Sequence, residues 1–279
     1  GRTLLGEVPV GTNVLLMDEN FVQGGLINIL VYTASTFAES TNAAAVGIFD
    51  TDISISSIAF TDQDLDPEEI GGTVTWQLFG FPPLSHFVVY LAIHDDGRNR
   101  TITAPPVAFG SNHLDLPADI QLDDYQYIVV YTKSSLFEQT TPLGFPISDE
   151  ERSVSGISFQ DLDLDDAELG GYVTWVPPAD PTLVVGYHAY LAEDMVGGGR
   201  QEVGAGVLAP TTVILMTADH AEAAFQHILV YTRSILAEQT TPVAFNFSDL
   251  ATIVPAVNLT DLDLDAGNFG GDAYWDPPA

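Results

Sequence analysis

Cysteine is absent from the 279 residues, and basic side chains are scarce, seven against 39 acidic ones. The first absence excludes disulfides, thiolate-bound metals and cysteine nucleophiles. The second leaves a formal net charge of −32. Such a chain repels phosphates instead of releasing their counterions, so nucleic acid and anionic membrane surfaces are excluded as partners. No apolar run reaches the roughly 18 residues of a membrane span, so this segment inserts into no membrane as a helix. No stretch sustains a 3.6-residue hydrophobic period, so helices are not expected. There is no Gly-x-Ser-x-Gly elbow, phosphate loop or HExxH pattern. The six histidines are His86, His94, His113, His188, His220 and His227, and none recurs at a fixed interval. His220 and His227, seven apart, are poorly spaced for a metal. These absences argue against an enzyme.

What is present is periodic. Tyr32, Tyr131 and Tyr231 each sit in a similar Val-Tyr-Thr segment, at intervals of 99 and 100 residues. Trp76, Trp175 and Trp275 keep the same intervals, as do Asp62, Asp161 and Asp261. A period near 100 is too long for a solenoid unit and fits one small domain. The sequence divides into the second half of a repeat (1–50), two complete repeats (51–148 and 149–248) and the first third of another (249–279). Half a sandwich cannot bury its own face. Either further repeats adjoin both ends, or the ends of neighbouring copies complete each other head to tail, since together they lack only the counterpart of about 180–199.

Within the second complete repeat, alternating or β-branched runs bounded by turn residues predict strands at 153–159, 172–176, 184–192, 211–216, 226–234 and 242–248. The glycine run at 197–199 reads as a flexible loop. About seven short strands per repeat predict an all-β fold of tandem antiparallel sandwiches, each of about 100 residues. The series Val-Thr-Trp175-Val-Pro-Pro, Tyr187-His-Ala-Tyr190, Ile-Leu-Val-Tyr231-Thr and Glu238-Gln-Thr-Thr-Pro242 resembles a fibronectin type III module. That resemblance implies an Ig-like sandwich with the tryptophan on the second strand, Tyr187 and Tyr190 on the third and the Glu-Gln-Thr-Thr turn before the last. It departs from the family at the corner tyrosine, which is Tyr125 in one repeat but Phe225 and Leu26 in the others. The long acidic array also resembles surface proteins of marine protists such as dinoflagellates.

Each repeat carries a cluster of acids: Asp62, Asp64, Asp66 and Glu69; Asp161, Asp163, Asp165 and Glu168; Asp261, Asp263 and Asp265 with Asn268. Carboxylates at i, i+2 and i+4 followed by another oxygen donor suit calcium, although the spacing is not that of an EF-hand. Asp149 and Asp249 recur at the junctions between repeats. The first turn of a fibronectin-like module lies where the chain leaves that module. This pairs the first cluster with Asp149 and the second with Asp249, as a Ca2+ site at each junction. A solvated acidic turn, with aspartates bonded to the local backbone, is the competing reading. Asn99, Asn246 and Asn258 begin N-glycosylation sequons, so the segment is a candidate glycoprotein. Asn246 falls on an expected strand.

These features together predict a non-enzymatic structural segment of a long extracellular or cell-surface protein, a rod, fibre or filament. Its partners are adjoining modules or other copies of the same chain. Two alternatives stand beside it. One is an adhesive array binding carbohydrate or protein through loops that differ between repeats, at 94–100 and 193–199. The other is a set of spacer modules in a larger secreted enzyme.

Overall fold

The computed structural model describes residues 1–50, 53–79 and 84–278. The expected start of the first complete repeat, at 51, lies outside the described residues. All described strand pairs are antiparallel. The leading half-repeat forms a hairpin of β1 (Asn28–Ala34) and β2 (Glu39–Gly47). The first complete repeat holds β3 (Ser54–Ala59), β4 (Glu69–Phe79), β5 (Leu84–Ala92), β6 (Arg100–Ile102), β7 (Val107–Ala108), β8 (His113–Gln121), β9 (Tyr127–Ser134) and β10 (Leu143–Pro146). The second holds β11 (Ser155–Asp161), β12 (Glu168–Val176), β13 (Gly186–Ala192), β14 (Gln201–Glu202), β15 (Val207–Leu208), β16 (Val213–Ala221), β17 (His227–Arg233) and β18 (Val243–Asn246). A last hairpin joins β19 (Val257–Leu259) to β20 (Ala273–Trp275).

In the second repeat one sheet runs β11-β12-β16 and the other β14-β13-β17-β18, with β15 also on β13. Lettered along the chain these are A-B-E and C′-C-F-G, the sheet order of a fibronectin type III-like sandwich. The first repeat has the same two sheets, β3-β4-β8 and β6-β5-β9-β10, with β7 on β5. The fold class is therefore all-β, in tandem Ig-like sandwiches.

Residues cluster into two compact units. One comprises Gly1–Ala59, Thr75–Leu114 and Tyr125–Pro146; the other comprises Phe60–Val74, Asp115–Asp124 and Ile147–Ala279. The acidic turn of the first repeat thus belongs to the compact unit that contains the second sandwich.

Alternation selects the core. Along β12, Val173 and Trp175 point inward while Tyr172, Thr174 and Val176 face out. Trp175 meets Tyr187 at 5.2 Å between ring centroids, among Leu169, Leu191, Ile214, Met216, Ile228 and Val230. β17 is buried on both faces, which accounts for its unbroken apolar run. Ile228 and Val230 face the other sheet, and Leu229 and Tyr231 pack with Ala192 and Tyr190 on the outer side. In the other unit, Trp76 meets Phe87 at 5.1 Å. Val88, Ala92, Val129 and Tyr131 repeat the outer layer there. Trp275, on the last hairpin, is 62% exposed.

Two expectations need correction. The strand expected at 211–216 is β16, which extends to Ala221. Its Thr-Ala-Asp-His-Ala end alternates too weakly to read as strand, yet it pairs with the start of β12 across a bulge between Leu169 and Gly171. The short strands β14 and β15 were not expected, because two-residue pairings leave no periodic pattern.

Candidate junction site: the acidic turn

The turn after the first strand is built by its own aspartates. Asp62 Oδ1 accepts the N–H groups of Asp64 (3.1 Å) and Gly71 (3.0 Å), and Asp64 Oδ1 accepts that of Asp66 (3.2 Å). The pattern repeats in Asp161 with Asp163 and Gly170, in Asp163 with Asp165, and at Asp261, Asp263, Asp265 and Gly270. Short side chains bonding the backbone two residues on are how aspartate makes turns. The i, i+2, i+4 spacing therefore has a structural cause in all three copies. Each turn also needs a left-handed residue: Glu68 and Ala167 at φ 64°, and Gly267 at φ 87°.

Beyond the turn itself, the first copy engages the next sandwich. Leu65 is 2% exposed and belongs to the core cluster that contains Trp175, Leu169 and Val184. Asp66 Oδ2 accepts the Thr240 N–H at 2.7 Å, and its Oδ1 accepts the Thr241 N–H at 2.8 Å and the Thr241 hydroxyl. Gln239 donates its amide to the Leu65 carbonyl and to Ser153 Oγ at 3.3 Å. The Leu65 carbonyl also accepts the Arg152 N–H at 3.2 Å. The Glu-Gln-Thr-Thr turn that the resemblance places before the last strand is here the receptor for the preceding repeat's acidic turn. The same leucine in later copies lies open: Leu164 is 48% and Leu264 97% exposed.

The junction aspartates do approach the turns. Asp149 Oδ2 accepts the Glu68 N–H at 2.8 Å and Asp249 Oδ2 that of Ala167 at 2.9 Å. In return, Asp62 Oδ2 accepts the Glu150 N–H at 3.2 Å and Asp161 Oδ2 that of Leu250 at 2.9 Å. The carboxylate oxygens that gather within 4.8 Å of one another are a different set: Asp64, Asp66, Glu69 and Asp119 in one copy, and Asp163, Asp165, Glu168 and Asp219 in the next. Asp62, Asp161, Asp149 and Asp249 stand outside these sets with oxygens turned to backbone N–H groups. Asp119 and Asp219 were missed by sequence reasoning. Their 100-residue interval was the available signal. Both are left-handed, at φ 63° and 61°, and donate their N–H to Asp64 at 2.6 Å and Asp163 at 2.7 Å. Four oxygen-bearing groups this close form a donor set suited to a hard divalent cation.

Burial by the next repeat raises carboxylates of the first turn. Desolvation raises Asp62 to about 6 from the ordinary 3.8, against bonds from Gly71, Asp64 and Glu150. It also raises Asp64 and Glu69. Asp163, the counterpart of Asp64, is lowered instead, chiefly by the Asp219 and Asp165 N–H groups.

A second repeated constellation also escaped the sequence. Three of the seven basic residues occupy one position. Arg2 lies 4.8 Å over Tyr32 and pairs with Glu39; Arg100 lies 4.8 and 4.4 Å from Tyr90 and Tyr131 and pairs with Glu138; Arg200 lies 4.5 and 4.6 Å from Tyr190 and Tyr231 and pairs with Glu238. Tyr190 is pushed up to about 12, mainly by burial and then by Glu238, to which it donates at 3.0 Å. Of the sequon asparagines, Asn99 is exposed in a left-handed loop position, Asn246 ends β18 and Asn258 lies in β19.

No family model and no curated protein matches the chain. Among solved structures, the FN1–FN3 domains of chicken CNTN1 match 80% of this chain and 78% of theirs at 14% identity, with a TM-score of 0.32. Titin domains A168–A170 match 79% and 74% at 11% identity, with a TM-score of 0.27. A mouse coronavirus receptor-binding domain complexed with its murine receptor matches 71% and 99% at 9% identity, with a TM-score of 0.26. These scores carry no functional argument, and the fold stands on its own sheet order. Fold and turn together define a tandem β-sandwich repeat protein in which one repeat's acidic turn enters the next repeat's core. No helix among the described residues is long and apolar enough to cross a membrane.

Proposed function

We propose that the chain is a non-enzymatic structural segment of an extracellular or cell-surface repeat protein, in which the acidic turn fixes each sandwich to the next and stiffens a rod or filament. The observation that carries this reading is Leu65. A turn leucine buried in the following core, beside an aspartate capped by that repeat's Thr240 and Thr241, is a joint rather than a linker. Calcium belongs to the proposal as a reinforcement, held by Asp64, Asp66, Glu69 and Asp119. Glu69 Oε2, buried without a hydrogen-bond partner, supports it. Because backbone donors already satisfy Asp62, Asp64 and Asp66, the ion adds to the joint and does not create it. Electron microscopy before and after chelation tests the reading. Stiff rods that persist but bend more after chelation are expected, and freely jointed particles in both conditions would overturn it.

An adhesive role has one observation in its favour. A cavity of about 490 Å³ is lined by His94, Asp96, Arg98, Asn99, Arg100 and Tyr131, at a loop whose sequence differs between repeats. Glycan-array binding that is lost on Arg98→Ala would support it.

A further inference from the structure

The outer face of the three-stranded sheet in the second sandwich carries no charge. β11, β12 and β16 pair in register, so their outward side chains fall into rows. One row holds Gln160, Tyr172 and Leu215, and the next holds Ser158, Thr174 and Val213. Val176 stands two residues beyond Thr174 on the same face. None of these side chains is charged, in a chain with 39 acidic residues. Tyr172, Val176, Val213 and Leu215 are apolar, and all four are exposed.

The fold does not require such a face, as the first sandwich demonstrates. At the same positions of the repeat it has Thr73, Gln77, His113 and Asp115 in place of Tyr172, Val176, Val213 and Leu215. There the face is solvated, with the Thr73 hydroxyl donating to Asp115 at 2.7 Å. The inward positions keep their character: Val74 and Trp76 correspond to Val173 and Trp175, and Leu116 to Met216, all buried. Only the outward side chains have turned apolar, and apolar side chains gathered on one face mark a contact surface. Adjoining repeats do not supply that contact. Thr73 and Asp115 belong to the compact unit that contains the following sandwich, and both are exposed, so a following repeat leaves this row open. The acidic turn of the preceding repeat is seated on the second sandwich, and the face is exposed with it in place.

Charge selects the occupant. A basic partner is drawn to acidic surface elsewhere, whereas a net charge of −32 holds two copies apart except where neither presents a carboxylate. We propose that the outer face of β11, β12 and β16 is a self-association surface, on which a second copy of the chain packs by the same face. Sheets packed face to face bring such rows together about 10 Å apart. A two-fold axis makes the surface its own complement. The contact sets copies side by side and depends on neither the acidic turn nor calcium.

Sedimentation velocity of the full chain, over a range of protein and salt concentrations, tests the inference. In one variant the second face takes the residues that the first sandwich carries there: Tyr172→Thr, Val176→Gln, Val213→His and Leu215→Asp. Thr174→Glu is a second variant. Its control is Thr75→Glu, the same charge change at the matching position of the first face. Melting temperatures check that each variant is folded. Reversible self-association of the unaltered chain is expected. Added salt strengthens it, because screening removes repulsion between like-charged copies and leaves apolar contact intact. The fourfold exchange and Thr174→Glu each weaken it about tenfold or more, and Thr75→Glu leaves it unchanged. A chain that stays monomeric in high salt, association that salt weakens, or association indifferent to both changes on the second face would overturn the inference.

Discussion

At the scale of single residues, Leu65, Leu164 and Leu264 form an internal experiment, one side chain in three degrees of burial. Truncating a buried leucine typically costs about 2–5 kcal/mol, whereas an exposed one changes stability by about 0.5 kcal/mol or less. Leu65→Ala is therefore expected to lower the melting temperature of the sandwich that buries it, and Leu264→Ala, at low protein concentration, to leave it unchanged. Differential scanning calorimetry checks both. Asp62 supplies a pH signature. Its folded value, about 6, exceeds the ordinary 3.8, so the folded state binds the extra proton between these values. Its contribution to stability is thus fully present below about pH 4 and lost as pH rises through about 6. Asp64 and Glu69 shift in the same direction. Melting temperature should rise on acidification from pH 7 to pH 5, and Asp62→Asn should flatten that slope. The stacked arginines yield a third expectation. Cation–π contacts contribute about 0.5–2 kcal/mol, so Arg200→Ala should destabilise by at least about 1 kcal/mol in urea titrations. Arg98→Ala, which removes an exposed pair with Asp96, should cost less than about 0.5 kcal/mol.

At the scale of elements, the acidic turn explains what sequence could and could not disclose. The repeating aspartates and their turn were legible because Asx bonding acts two residues away and leaves its pattern in the chain. The joint was not legible, because Leu65 in an acidic turn looks like any turn leucine until the following sandwich is in place. Asp119 was hidden for a related reason. It comes from the far end of β8, some fifty residues away, and reaches Asp64 only through strand pairing. The triads of Arg100 and Arg200 were hidden by their separation of 38 residues from Glu138 and Glu238. A calcium titration belongs at this scale. Binding only to the folded turn stabilises by about 2.7 kcal/mol at a hundredfold excess over Kd. Calcium should raise the melting temperature of the wild type, and less so that of an Asp119→Asn, Glu69→Gln variant.

At the scale of the whole molecule, periodicity disclosed the most. The 99- and 100-residue intervals of Tyr131, Trp175 and Asp161 gave the all-β sandwich repeat, because each marks a core or turn position that every copy needs. The apolar run of β17 and the tyrosines of β13 marked two core strands, but the C′ strand β14 was hidden because its two-residue pairing leaves no periodic pattern. What the intervals could not give is the relation between copies, since identical positions differ in burial only through their neighbours. The central claim is that the Thr240 and Thr241 N–H groups, though in an exposed turn, are held by Asp66 of the preceding repeat. Amide hydrogen exchange resolved at those two residues tests it most directly. Protection well above that of an exposed turn, lost on Asp66→Ala while the β17 amides stay protected, is the predicted result. Rapid exchange at both threonines in the unaltered chain would contradict the account.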